Sequence, residues 1–328
     1  MTEPWLDLLP VDPLPALLGG GDLALDYFAR RALLDWQAEP VEQLWDLPEV
    51  QELLDRQQAD GSWHYPGKSF DQADGTNYDL LQTYRTLRRL VELYGMNDSH
   101  PAICKAAEYL FSCQTEEGDI RGILVNQYMP YYHGAILTPL VKAGYADDPR
   151  LVKGMDWLLS MRQEDGGWIV PAQAVPAKQK TKAFWRGPAL PPDRSLPSSH
   201  LATDMALRPF AAHPVYRSRP EALSAARLLK SRLLQPDKYN DRKGADYWLK
   251  LQFPFWWHSL VATLDSLSRL GFDKDDDDIA RGLIWFLENQ EADGLWDTRY
   301  GKGKEAQRLR RWVGLAVCRV LKRFFGKE

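Results

Sequence analysis

The chain has 328 residues, enough for one large domain or two small ones, and 45% of them are hydrophobic, so a sizeable core can form. The formal net charge of −4 gives no global reason to expect a nucleic-acid partner. No stretch approaches the roughly eighteen consecutive apolar residues of a membrane span.

Residues 1–21 read as an acidic, proline-containing arm without the basic start and apolar run of a secretion signal. A helix is predicted near Asp22–Gln37. From Leu53 onward one design recurs: an apolar helical run, a Gln, an acidic residue, Gly and usually Trp. The copies are Gln57 to Trp63 around Asp60-Gly61, Gln114 to Asp119 without the Trp, Gln163 to Trp168 with one residue fewer, and Gln290 to Trp296. Second helical runs are predicted at Tyr78–Tyr94, Tyr131–Tyr145, His200–Ala211, Trp256–Leu270 and Glu305–Phe324. A degenerate unit, Pro220–Leu251, keeps its helices and loses the marked turn. Gly95, Gly144 and Gly271 are placed as helix stops, and Pro101, Pro149 and Pro220 as helix starts. Five antiparallel helical hairpins and an N-terminal helix emerge. One hairpin cannot bury both faces, so the units stack as an open solenoid or a closed ring.

The Gln-x-x-Asp-Gly-x-Trp turns resemble the repeat of squalene cyclases, related terpene cyclases and protein prenyltransferase β subunits, over roughly residues 45–325. The resemblance implies an all-α fold, an (α/α)5–6 toroid, as a single domain spanning 1–328. It also implies that the Gln caps a neighbouring helix, that the Trp packs on it, and that the cavity opens where the inner helices begin. Asp-Gly supplies a tight turn, so these motifs are structural rather than chemical. Cyclases of this kind start from an acid in an Asp-x-Asp-Asp motif that opens an inner helix. Here the string Asp273-Lys274-Asp275-Asp276 precedes an outer helix, where aspartates cap free N–H groups and complement the macrodipole. The best-placed inner segment, Thr76-Asn77-Tyr78-Asp79, keeps only the last Asp. The prenyltransferase zinc set is missing, since no Asp-x-Cys occurs. Cys104, Cys113 and Cys318 fit no zinc spacing and are expected as reduced core thiols.

The inner-helix starts read Asn77-Tyr78-Asp79, Tyr131-Tyr132-His133, Ser199-His200 with Asp204 a turn later, and Trp256-Trp257-His258. Asp79, His133, His200, Asp204 and His258 are therefore the candidate catalytic groups of an aromatic-walled pocket. Tyr78, Tyr131, Tyr132, Trp256 and Trp257 are its candidate substrate contacts. The plainer alternative is that each His bonds a helix end or a loop carbonyl. No cofactor and no metal ligand is assigned, although three imidazoles and a carboxylate are donors that a divalent metal accepts. Two basic features suit an anionic substrate. One is the long proline-rich loop Val170–Ser199, with Lys178, Lys180, Lys182, Arg186 and Arg194. The other is the start of the last helix, with Arg308, Arg310 and Arg311 after Lys302 and Lys304. From Arg299 to Glu328 ten basic residues face two acidic ones, which leaves about −12 on the rest of the chain. The tail Arg319–Phe325 is amphipathic and suits a membrane surface.

Three functions follow. The first is an isoprenoid cyclase-like or transferase-like protein that takes a hydrophobic small molecule or isoprenoid diphosphate, in the cytoplasm or peripherally on a membrane. Its aromatic walls would stabilise carbocations by cation–π attraction. The second is a carbohydrate-active toroid, a lyase or hydrolase using Tyr131, His133 and His200. The third is a non-catalytic scaffold that binds a lipid or a protein.

Overall fold

The computed structural model describes residues 4–37, 39–67, 75–239 and 242–326. The first three residues of the arm and the last two of the basic tail fall outside them. In chain order the helices are α1 (Leu14–Leu18), α2 (Leu23–Leu33), α3 (Pro48–Leu54), α4 (Tyr78–Tyr94), α5 (Pro101–Ser112), α6 (Pro130–Leu140) and α7 (Pro149–Ser160). They continue as α8 (Pro171–Ala174), α9 (Lys182–Arg186), α10 (His200–Ala212), α11 (Pro220–Ser231), α12 (Leu260–Arg269), α13 (Asp277–Glu288) and α14 (Lys304–Phe325). Among the described residues the only extended pairings are isolated bridges, Gln57 with Trp63, Gln114 with Ile120 and Trp168 with Ser199. The fold is all-α, as expected, and helical hairpins of this kind are the units of an α/α toroid.

Local chemistry sets the boundaries. Asn77 Oδ1 accepts the Leu80 amide at 2.8 Å to start α4, and Gly95, at φ 63, ends it in the left-handed conformation. Prolines open α5, α6 and α7. Four expectations are corrected. The run Tyr131–Tyr145 breaks at Leu140 into a π-helical turn, Val141–Tyr145, that contains Gly144 at φ 111. The run Trp256–Leu270 becomes helical only at Leu260, because Ser259 is the cap whose hydroxyl accepts the Ala262 amide. Among the described residues, the degenerate unit keeps one α-helix, α11, and then only a 3-10 turn at Ala245–Leu249 that follows Gly244. The N-terminal helix stops at Leu33, and Asp35 beyond it has φ 49.

The chain divides into two compact units. One comprises Val41–Ala225 and Lys238–Asp241; the other comprises Met1–Pro40, Ala226–Asp237 and Arg242–Glu328.

In the unit built on Val41–Ala225, three hairpins follow one another: α3–α4, α5–α6 and α7–α10. α6 lies between α4 and α10. Gly134 lets α6 and α10 come close, since a Cβ there would sit 2.7 Å from Ala206 Cα. The marked turns tie each hairpin to the next. Gln57 Nε2 donates to Gly61 O (3.0 Å) and to Ala102 O, the second residue of α5 (2.8 Å). Gln114 Nε2 donates to Gly118 O (2.7 Å) and to Arg150 O, the second residue of α7 (2.8 Å). Gly61 turns at φ 90, where a Cβ would strike Lys105 O at 2.2 Å. The indoles fold back on the helices before them: Trp63 Nε1 reaches Leu53 O (2.6 Å) and Trp168 Nε1 reaches Leu158 O (2.7 Å). Gln163 departs from the pattern by donating to Asp193 O and Leu196 O in the long loop.

In the other unit, Gln290 repeats the design. Its Nε2 donates to Gly294 O and Val11 O, its Oε1 accepts the Val11 amide, and Trp296 Nε1 donates to Phe286 O. α14 packs against α1, α2 and α12. Gln57 and Gln114 thus tie their turns to the next helix, whereas Gln163 and Gln290 tie theirs to loop segments.

Candidate functional site

The first turn of α4 gathers one group. Asp79 is partly exposed, accepts the Tyr65 amide at 2.9 Å and lies 3.2 Å from His64 Nδ1. The Tyr65 and Tyr78 rings are 5.1 Å apart, and the Arg85 guanidinium lies over Tyr65 at 5.8 Å. His64 and Tyr65 were missed in the sequence. Their signal was position, directly after the Trp63 that closes the first marked turn.

A second group spans α4 and α6. Tyr131 and Tyr132 are 4.6 Å apart, and Tyr132 meets Tyr84 edge-on at 6.4 Å. Arg88 lies over Tyr84 at 5.6 Å. Burial disfavours its charged form, Tyr84 counters this, and the like charge of Arg208 adds to it. On α10, Asp204 is fully buried and ion-paired with Arg208, one turn along the same helix. In this pairing the Arg208 guanidinium engages Asp204 Oδ2. Tyr84 and Arg208 are buried, Arg88 is half-buried, and none of the three carried a motif in the sequence.

His133 has a different occupation from the one expected. Its Nδ1 accepts the Ile120 amide and its Nε2 lies against Gly154 O on α7, both at 3.0 Å. Thr83 receives the Trp63 amide (2.9 Å) and Thr203 the Trp168 amide (3.0 Å) in the same way. His133 is therefore the tie of the second, Trp-less turn. Burial pushes its imidazole down to about 4. Both ring nitrogens thus meet backbone groups, the plainer alternative given for this residue. His200, buried, opens α10 directly after its cap Ser199.

In the other unit, Trp256 and Trp257 lie before α12, 5.8 Å apart, with Arg242 over Trp257 at 4.2 Å. His258 is buried, edge-on to Trp248 at 5.0 Å. Arg308 and Arg311 do not wait for an anion. Arg308 Nε donates to Asp22 at 2.8 Å, and Arg311 donates to Ala16 O and Leu17 O. Asp22 is held below the usual carboxylate range. Burial opposes this and is outweighed by hydrogen bonds from Arg308, Leu25 and Trp312 and by the Arg308 charge. These contacts of Arg308 and Arg311 join α14 to α1 and to the cap of α2. The tail cations are also engaged, Lys322 with Asp35 and Arg323 with Ser268. Asp276 caps α13 and pairs with Lys230, as the outer-helix placement implied.

Among the described residues no three His, Cys, Asp or Glu side chains come together to hold a metal ion. Cys318 is a buried thiol, whereas Cys104 and Cys113 are only partly buried, so the core placement holds for one of the three. No helix among the described residues is long and apolar enough to cross a membrane.

The loop Val170–Ser199 contains α8 and α9 rather than running bare. Beside α9 lies a pocket of ≈ 200 Å³, lined by Thr76, Leu124, Val125, Lys182, Trp185 and Arg186. Thr76 immediately precedes the cap of α4, so the pocket sits where that inner helix begins.

No family profile matches the chain, and no curated protein matches it in sequence. Among solved structures it is similar to a protein from Actinoplanes, at 18% identity and TM-score 0.45, over 92% of this chain and 89% of that one. It is also similar to the type II terpene cyclase MstE from Scytonema. A variant of that enzyme in complex with merosterolic acid A matches at 17% identity and TM-score 0.40, over 86% of this chain and 97% of that one. The apo enzyme matches over the same shares at 15% identity and TM-score 0.38. These likenesses carry no activity or substrate to this chain.

Proposed function

We propose that the protein is a terpene-cyclase-like binder of an isoprenoid or similarly apolar chain, with turnover at the start of α4 if it is an enzyme. The observation that carries this reading is the half-buried tyrosines beside the inner-helix starts: Tyr65 in the loop against Tyr78 at the start of α4, and Tyr131 on α6, which meets the buried Tyr132. Ring faces of this kind suit alkene chains and the cations derived from them. The Asp79–His64 pair is the acid–base candidate beside the rings. His200 and Asp204 are further candidate groups on α10; His258, Trp256 and Trp257 are candidates within the other unit alone. Protonation-initiated cyclisation draws no support from the acids, since Asp276 caps a helix and Asp204 is ion-paired.

A non-catalytic binder is the second reading, favoured by the backbone bonds that occupy His133.

Native mass spectrometry with farnesol, geranylgeraniol and their diphosphates tests the binding reading. A one-to-one complex with at least one is expected; no complex with any of them overturns it. Product analysis then separates the two readings. Turnover that Asp79→Asn abolishes marks an enzyme, and binding with no product marks a binder.

A further inference from the structure

The loop between α8 and α10 is built unlike the rest of the chain. Ala172 is buried at its start and Ser198 at its end, yet no residue from 173 to 197 is buried. α9 lies within this stretch, five residues long and without a buried residue. A helix that short does not hold alone in water, and a segment that adds nothing to the core depends on its polar bonds.

Two adjacent residues supply such bonds. Gln127 is 1% exposed. Its Nε2 donates to Phe184 O (2.8 Å) and Pro188 O (3.2 Å), and its Oε1 accepts the Leu190 amide (2.9 Å). Asn126 Nδ2 donates to Gly187 O (2.8 Å), and the Asn126 amide donates to Trp185 O (3.3 Å).

The second marked turn secures this pair. Ile120 stands where the other three turns carry Trp63, Trp168 and Trp296. Just before it, the buried Asp119 accepts from Arg121 Nε and Nη2, both at 2.9 Å. A bidentate pair of this kind fixes geometry as well as charge. Arg121 Nη1 reaches Asn126 Oδ1 at 3.4 Å, which turns Asn126 Nδ2 toward Gly187. The turn without a tryptophan thus carries a polar chain from a buried carboxylate to the backbone at the end of α9.

Next to Asn126, Val125 has φ 55, a left-handed conformation that β-branched residues rarely adopt. Backbone held in such a state clusters at ligand clamps and switch regions. Val125 lines the pocket beside α9 together with Trp185 from α9 and Thr76, which precedes α4. α9 is therefore one wall of a cavity at the start of α4.

We infer that segment 176–190 is a flap that closes this pocket, with Asn126 and Gln127 as its latch and Val125 as the strained residue that opening relaxes. The flap gates the pocket whatever ligand enters, so it stands or falls independently of the isoprenoid reading.

Two measurements on the full chain test the flap without a ligand. Hydrogen exchange read by mass spectrometry follows peptides covering 181–190. The rate of alkylation by N-ethylmaleimide in the Thr76→Cys background follows access to the pocket, and peptide masses separate that thiol from Cys104 and Cys113. Gln127→Leu roughly keeps the side-chain volume and removes the bonds to Phe184, Pro188 and Leu190. It should raise both rates about ten-fold or more, the scale of losing buried hydrogen bonds, while α4, α6 and α10 exchange as in the parent. Val125→Asn, which tolerates the left-handed region, should slow both about five-fold. If Gln127→Leu fails to fold, Asn126→Ala carries the same expectation. Unchanged exchange in 181–190 overturns the latch, and faster exchange with unchanged alkylation overturns the flap. Acceleration shared by α4, α6 and α10 also overturns it, because the segment then opens only with the whole unit. No slowing in Val125→Asn removes Val125 from the device.

Discussion

The imidazole of His133 receives the Ile120 amide at 3.0 Å, the contact that a threonine hydroxyl makes in two other turns of the repeat. The substitution lets one side chain do two things. Threonine would satisfy only the turn, whereas His133 Nε2 also reaches Gly154 O on α7. A Cβ on Gly154 would lie 3.0 Å from that ring, so this residue gives the imidazole its space. His133→Ala should leave the Ile120 amide buried and unpaired beside a new cavity, while Gly154 O keeps its bond within α7. A loss of about 2–4 kcal/mol is expected in chemical denaturation.

The same residue makes stability depend on pH. Its imidazole is pushed by burial from 6.5 down to about 4, so the folded state favours the neutral ring. The contribution is complete above about pH 6.5 and is lost as pH falls towards 4, where the unfolded chain binds a proton that the folded chain does not. The shift corresponds to about 3 kcal/mol. Denaturation midpoints measured from pH 7 to pH 4 should fall steeply in the parent and less steeply in His133→Ala. Equal slopes would show that the ring is not held neutral.

Asp204 and Arg208 form a buried ion pair. Asp204→Ala should cost about 3–5 kcal/mol by leaving a guanidinium in the core. Replacing both residues with apolar side chains of similar volume, as in the double variant Asp204→Leu with Arg208→Met, should recover most of the loss. A double-mutant cycle reads the coupling, and additive losses would contradict a direct pair.

Gln290 joins the last marked turn to the N-terminal arm through Val11. Gln290→Ala should cost about 1–2 kcal/mol. The change should be local, with hydrogen exchange at the Val11 amide accelerated well beyond exchange in α12 or α14. Uniform acceleration would place the arm in the global unfolding unit instead.

Gly134 sets the approach of α6 and α10. Gly134→Ala should force the helices apart and cost about 1–3 kcal/mol, seen as a lower denaturation midpoint. Because Tyr131 and Tyr132 are on the same helix, the variant should also weaken any isoprenoid binding.

The succession of the main helices was legible in the sequence, because it depends on local rules, whereas α8 and α9 in the long loop and the breaks at Leu33, Leu140 and Leu260 were not. Asn77 and Gly95 bound α4 at the residues expected, since a side-chain cap and a left-handed stop act within one turn of chain. The Gln and Trp ties were legible through their repetition. The site was less so. His133, His200 and His258 look equivalent by position, yet which of them bonds backbone depends on what lies opposite: Ile120 and Gly154 for His133, a tryptophan ring for His258. Arg308 and Arg311 look available until α1 and α2 return to meet them. Spacing along one helix says which side chains share a face, and nothing about the polar groups that the rest of the chain brings to that face. Caps, left-handed stops and turn chemistry are short-range, and those at Asn77, Gly95 and the Asp-Gly turns were set by the sequence alone. The partners of each buried charge and imidazole are long-range, and only the tertiary structure decided them.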